Sequence, residues 1–263
     1  MKRIALAAVL AFCALPSAQA QRSGQDFSWD GVIPNGRWLY VRNLNGSITV
    51  EKASGNRVEV TGVKRVRRGN AEEVRIEMRK LANDDVIICA YWYDDTTCDE
   101  NGYRTRNEGR RDRDRDKNEI SVHFTVKLPD GVKLEGTSVN GGVRIDGATS
   151  EVVARTVNGE IVARSVGGPV RASTVNGGIE VSMGTLGTED LEFETVNGSI
   201  EVMLPANLNA ELDMRTVNGR VESDFPLTIS GRIDPRRIRA TIGKGGPRLK
   251  FSTVNGSVDL RKR

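Results

Sequence analysis

Short runs of alternating apolar and polar residues recur along the chain, the mark of half-buried strands. Ser47–Glu51 and Arg57–Thr61 alternate in this way, with Ala53-Ser54-Gly55-Asn56 as the turn between them. Together they predict a first repeat unit. Val74–Met78 alternates as well, while Val86–Trp92 is more continuously apolar and predicts a better-buried strand. Asn83-Asp84-Asp85 is the tight turn that separates them. Over residues 99–119 the pattern stops. Arg104, Arg106, Arg110, Arg111, Arg113, Arg115 and Lys117 interleave there with Glu108, Asp112, Asp114 and Asp116, which predicts a solvated loop. Alternation resumes at Ile120–Val126, with Ile120, Val122, Phe124 and Val126 on one face and His123 on the other.

From residue 136 the alternation is punctuated by one returning phrase. It reads Ser138-Val139-Asn140-Gly141, and then Thr-Val-Asn-Gly with Asn158-Gly159, Asn176-Gly177, Asn197-Gly198, Asn218-Gly219 and Asn255-Gly256. A diverged copy, Asn43-Leu44-Asn45-Gly46, lies upstream. Successive asparagines from Asn140 are 18, 18, 21, 21 and 37 residues apart. A period near 20 is the signature of stacked repeats. Each unit contains two short strands joined by two turns. In Thr156–Ser173, for example, Ile161 and Ala163 belong to one strand and Val170 and Ala172 to the other.

Asn and Gly tolerate positive φ, so Asn-Gly suits a sharp corner. Thr favours the strand that enters it, and the valine between them is expected to point inward. A β-solenoid would stack like corners about 4.8 Å apart and let their asparagines hydrogen-bond in a ladder. An antiparallel meander would use each Asn-Gly as a hairpin turn. A hairpin gives no reason for the preceding Thr-Val to recur, whereas in-register stacking rewards identity at every corner position. The expectation is therefore an all-β, β-solenoid-like stack over 136–263, continuous with a less regular N-terminal β region over 21–135. The long gap before Asn255 predicts an elaborated coil with an inserted loop. The terminal Arg261-Lys262-Arg263 predicts a charged end that blocks further edge pairing.

Composition adds a compartment more than a chemistry. Lys2 and Arg3, the apolar run Ile4–Leu15 and the small-residue site Ala18-Gln19-Ala20 predict a secretory signal peptide over 1–20. The run is too short to span a bilayer, no later stretch is apolar enough, and the bulky Phe12 before Cys13 disfavours a lipoprotein signal. Cleavage leaves 37 basic against 35 acidic residues, too even a balance to imply nucleic acid. The remaining cysteines, Cys89 and Cys98, form an even pair at short spacing. In an oxidising compartment that reads as a disulfide worth about 2–3 kcal/mol. A metal site is disfavoured because the chain holds a single histidine, His123, and no other mature cysteine.

The repeated phrase, the Cys89…Cys98 loop, the approach Val126-Lys127-Leu128-Pro129-Asp130-Gly131-Val132 and the segment Ile242-Gly243-Lys244-Gly245-Gly246 resemble the bacterial putative-adhesin family, a domain of unknown function. The resemblance covers nearly the whole mature chain and is most specific over 120–263. It implies a right-handed β-solenoid-like fold in exported bacterial proteins, and it brings no catalytic residues.

Many β-solenoids cleave polysaccharides, which needs acids or bases gathered on adjacent coils. Glu160, Glu180 and Glu201 are the candidates, with Glu180 and Glu201 at matching offsets from their asparagines. Ordinary outward charges explain them better, since Arg144 and Glu222 stand at the corresponding positions of other units. Gly243-Lys244-Gly245-Gly246 lacks the spacing of a phosphate-binding loop and reads as a turn. Asp112, Asp114, Asp116 and Glu119 lack the glycine of a calcium loop and are interleaved with arginines. The sequence thus points to an exported, non-enzymatic, adhesin-like scaffold that uses no cofactor and whose partner is an envelope protein or polysaccharide. A β-helix carbohydrate-active enzyme is the alternative.

Overall fold

The computed structural model describes residues 26–105, 118–165, 167–229, 234 and 236–263. The signal-peptide segment and the Asp112, Asp114 and Asp116 cluster lie outside them. The N-terminal strands are β1 (Phe27–Gly31), β2 (Trp38–Arg42), β3 (Ile48–Lys52), β4 (Val58–Arg68), β5 (Arg75–Lys80), β6 (Val86–Tyr91), β7 (Thr96–Asp99), β8 (Gly102–Thr105) and β9 (Glu119–Leu128). Strand pairs follow at regular spacing: β10 (Lys133–Thr137) and β11 (Val143–Ala148), β12 (Val152–Arg155) and β13 (Ile161–Ser165), β14 (Val170–Ser173) and β15 (Ile179–Met183). Then come β16 (Leu191–Glu194) and β17 (Ile200–Leu204), β18 (Ala210–Arg215) and β19 (Val221–Ser223). Finally β20 (Thr228–Ile229) and β21 (Arg237–Ile242) precede β22 (Arg248–Ser252) and β23 (Val258–Lys262).

Each coil runs from a strand of one sheet, through an Asn-Gly corner, to a strand of the other. The result is β-solenoid-like. Sheet A has the order β1-β4-β9-β3-β11-β13-β15-β17-β23-β19, and sheet B the order β20-β21-β18-β22-β16-β14-β12-β10-β2-β6-β5. Neighbouring coils pair in parallel, so like positions form columns. In sheet A, Ile48, Val143, Ile161, Ile179, Ile200 and Val258 follow one another in register, all buried. In sheet B, Ala154, Ala172, Phe193, Phe251 and Met214 do the same, and the rings of Phe193 and Phe251 stack at 5.1 Å. A coil alone cannot bury these faces; its neighbours do so for it.

Coil order in space departs from coil order in the chain at both ends. The first coil, β2–β3, sits between the strand pair β6/β9 and the coil β10–β11. The last coil, β22–β23, sits between β16–β17 and β18–β19. Arg261-Lys262-Arg263 therefore does not end the stack. Instead Arg261 pairs with Glu222, Asp224 and Asp259 inside it. Nor do residues 47–61 form a two-sheet repeat unit. Strand β4 lies in sheet A, antiparallel to β9. Antiparallel strands close the stack: β5 on β6, β4 and β1 beyond β9, and β21 and β20 beyond β18. Antiparallel strands laid along these edges cover groups that would otherwise be left unpaired.

Candidate functional site

Three outward-facing features are built by this stacking. The first is the corner. Seven asparagine carboxamides form one file, in which Asn140 donates to Asn45, Asn158 to Asn140, Asn176 to Asn158, Asn197 to Asn176, Asn255 to Asn197 and Asn218 to Asn255, at 2.7–2.9 Å. None of these asparagines has positive φ, so their place at the corner comes from the ladder. The threonines point inward and are only 3–6% exposed. Each hydroxyl donates to a glycine carbonyl of the preceding coil, as Thr174 does to Gly159 at 3.0 Å and Thr195 to Gly177 at 2.9 Å. Asn43 takes the threonine position in the first coil and donates to the carbonyls of both Gly46 and Val122. The valines expected inside lie outside: Val157, Val175, Val196, Val217 and Val254 are 38–52% exposed. A buried hydroxyl with a carbonyl to satisfy displaces the apolar side chain, because strand residues alternate faces.

The glycines answer a different need. A Cβ on Gly46, Gly141, Gly159, Gly177, Gly198, Gly219 or Gly256 would lie 1.9–2.4 Å from a carbonyl oxygen of the adjacent coil. Close approach, more than a left-handed backbone, demands glycine here.

The second feature is the outer face of sheet A. Parallel register places Glu180 beside Glu201, Glu201 beside Asp259, and Asp259 beside Glu222 on successive strands. Arg164 pairs with Glu180 at 3.0 Å and with Asp146 at 3.4 Å, and Arg261 serves Asp259 and Glu222 at 2.9 and 3.1 Å. Arg144 and Val162 continue the column on the far side of Glu180. Glu160 belongs to a different column, preceding Ile161, between Gly142 and Gly178. The three candidate glutamates are thus not brought together; two of them are. His123 also faces outward, but on β9, four strands from Glu180 in sheet A, its Nδ1 2.9 Å from Ser47 Oγ and its Nε2 3.1 Å from Ser121 Oγ. Partial burial and the nearby Arg65 hold its pKa below the usual value.

The third feature covers one end of sheet B. The hairpin β7–β8 folds over the outer face of β6, and Cys89 on β6 is joined to Cys98 on β7. Ile87, Tyr91, Tyr40, Leu81 and Tyr103 complete a second small core, so β6 is buried on both faces. Beneath it Arg42 is buried, stacked over the Tyr40 ring at 5.1 Å. Its guanidinium donates to Thr137 Oγ1 and to the Glu100 carbonyl and pairs with Glu135 at 3.2 Å. Burial lowers its pKa against the raising effect of Glu135. Tyr103 donates its hydroxyl toward the carbonyls of Ala90 and Arg42, and burial pushes its pKa well up. The sequence showed the cysteine pair and the apolar run 86–92, but nothing in it marked Arg42 or Tyr103. Further along the same face, charges alternate in register: Lys133 with Glu151, Arg171 with Glu151 and Glu189, Lys250 with Glu192 and Glu194.

Gly243-Lys244-Gly245-Gly246 is the turn after β21, held by the Lys244 N–H on Asn209 Oδ1 at 2.9 Å. Among the described residues no group of three or more His, Cys, Asp or Glu is placed to hold a metal ion, and no helix is long and apolar enough to cross a membrane.

This corner-and-column pattern runs from Leu39 to Leu260, and residues 33–261 match the Toastrack DUF4097 family. The chain belongs to that family. Its fold is also similar to a putative cell adhesion protein from Clostridium sporogenes ATCC 15579, at 10% identity and TM-score 0.40, covering 90% of this chain and 99% of that one. A putative adhesin from Bacteroides fragilis NCTC 9343 is similar at 11% identity and TM-score 0.25, covering 90% of this chain and 96% of that one. No curated protein sequence matches the chain. In this Toastrack chain the phrase residues Thr, Asn and Gly are each committed to the contact between coils. What remains for a partner is the valine file and the two outer faces.

Proposed function

We propose that the chain is an exported, non-enzymatic, adhesin-like scaffold whose outer sheet faces engage an extended envelope partner, a protein or a polysaccharide. The observation that carries this reading is the register of the outward columns. Glu180, Glu201, Asp259 and Glu222 stand in single file on a sheet face, one per strand at about 4.8 Å. A partner with its own short repeat can meet such a file at several points at once. Lys2-Arg3, the apolar run and Ala18-Gln19-Ala20 support export. So does the Cys89–Cys98 bond, which is at home in an oxidising compartment.

The neighbouring Glu180 and Glu201 keep a carbohydrate-active enzyme in view, and one experiment separates the two readings. The mature chain is tested for binding and cleavage on a panel of envelope polysaccharides and intact envelopes, beside Glu201→Arg/Asp259→Arg and Glu180→Gln/Glu201→Gln. The scaffold reading expects binding without cleavage, weakened by the charge reversal. Cleavage that the Gln variant abolishes would overturn it.

A further inference from the structure

Six of the seven corner glycines donate their backbone N–H to the asparagine carbonyl of the next coil. Gly46 donates to Asn140, Gly141 to Asn158, Gly159 to Asn176, Gly177 to Asn197, Gly198 to Asn255 and Gly256 to Asn218, at 2.8–3.0 Å. Gly219 belongs to the last corner of the stack, and its N–H has no partner among the described residues. The side-chain file ends there too. Asn218 donates to Asn255 Oδ1 at 2.8 Å, but its own Oδ1 receives nothing, whereas Asn45, Asn140, Asn158, Asn176, Asn197 and Asn255 each accept from the next coil. Gly219 is exposed, while the other six corner glycines are buried or half-buried. Val217 beside it is 52% exposed against 38–39% for Val157, Val175, Val196 and Val254.

Asn-Gly is the dipeptide in which a backbone nitrogen most readily reaches the side-chain carbonyl that precedes it, because glycine has no Cβ to obstruct the approach. We propose that Asn218–Gly219 is a self-modification site, the one ladder corner that converts spontaneously through a cyclic imide. The Gly219 nitrogen attacks Cγ of Asn218 and a new N–Cγ bond forms. The Cγ–Nδ2 bond breaks, and ammonia leaves carrying the proton that Gly219 gives up. Water then opens the ring at either carbonyl to give aspartate or isoaspartate. The balance is one water consumed and one ammonia released, with no oxidant or reductant. At the other corners the same step must first break the hydrogen bond of the glycine N–H and, at all but Asn45, free a carboxamide held on both sides. Those restraints hold their rates back by about tenfold or more relative to Asn218.

The product changes the end of the stack. A carboxylate at 218 cannot donate to Asn255 Oδ1 and brings negative charge against that oxygen. Isoaspartate also lengthens the backbone at a corner where Gly219 lies against the Gly256 carbonyl. The last coil is thereby loosened.

The test is a time course of the folded mature chain in mildly alkaline buffer, with peptide mapping by mass spectrometry and isoaspartate-specific enzymatic methylation. Asn218 is expected to convert at least about tenfold faster than the other six ladder asparagines, and Asn218→Gln to abolish that signal. In urea the seven corners should convert at similar rates, which separates the effect of the fold from that of the dipeptide. Equal rates in the folded protein, or a preference for Asn218 that survives in urea, would overturn the proposal. Asn101–Gly102, in the turn of the β7–β8 hairpin, lies outside the ladder and is scored separately.

Discussion

Replacing Gly198 by alanine tests the corner most directly. Its Cβ would stand 1.9 Å from the Gly177 carbonyl oxygen, 2.5 Å from its carbon and 3.0 Å from the Gly178 nitrogen. All three are backbone atoms, so no side chain can swing away, and the two coils must part by about 1 Å. Parting them strains the Thr195 hydroxyl on the Gly177 carbonyl, the Gly177 N–H on the Asn197 carbonyl and the Asn197–Asn176 bond, now 2.9, 2.9 and 2.7 Å. Overpacking costs about 1–3 kcal/mol, and each weakened bond adds a share of about 1 kcal/mol. The expected loss is about 3–5 kcal/mol in urea unfolding followed by circular dichroism. Gly55→Ala is the control, because nothing lies within 4 Å of its Cβ and its φ is not positive. That change should be neutral or stabilising by up to about 1 kcal/mol. If Gly198→Ala loses less than about 1 kcal/mol, close approach is not what reserves this position for glycine.

Thr195→Val should cost about 1–3 kcal/mol in the same assay, by leaving the Gly177 carbonyl without its donor, while Thr195→Ser retains most of the stability. Removing the disulfide as Cys89→Ala/Cys98→Ala should cost about 2–3 kcal/mol and speed amide exchange over β7–β8, with strands β13–β15 unaffected. Deleting residues 248–263 takes out β22 and β23 and leaves β16, β17, β18 and β19 without their partner. Size-exclusion chromatography should then show aggregate in place of monomer. The depressed pKa of His123 means that the unfolded chain binds its proton first as pH falls. Its contribution is present above the unfolded value, about 6.5, and is lost as pH drops toward the lower folded value, so His123→Gln should flatten the stability–pH slope in that window.

The fold was legible because the corner phrase repeats with its strands. What the phrase hid was which of its residues face inward. Valine is the apolar member, and a rule of apolar inside puts it in the core. The structure reverses this because the glycine carbonyl of the neighbouring coil needs a donor, which the threonine hydroxyl supplies and valine cannot. The order of the coils was hidden for a different reason. Corners that share one phrase present the same donors and acceptors to any neighbour, so Asn255 fits between Asn197 and Asn218 as well as it would fit beyond them. Local pattern specifies the joint and leaves the sequence of joints open. Arg42 escaped notice because its partners Thr137, Glu135 and Glu100 come from other strands and from the hairpin laid over it.

The valine file is the phrase position with the least backbone duty, and its recurrence still has a structural cause. Thr, Asn and Gly each serve a hydrogen bond or a close approach between coils. An outward valine at each corner needs only β propensity and the neighbouring valine about 4.8 Å away, worth about 0.2–1 kcal/mol per step. Those contacts leave Val157, Val175, Val196, Val217 and Val254 more than a third exposed. The file therefore stabilises the stack while keeping an apolar strip in water beside the asparagine ladder. The outer columns differ in kind. Arg144, Val162, Glu180, Glu201, Asp259 and Glu222 occupy one column with no common chemistry, so stacking does not dictate them. Where the joint leaves the residue type free, the residue type can answer to a partner. On this chain that freedom is concentrated on the two outer sheet faces.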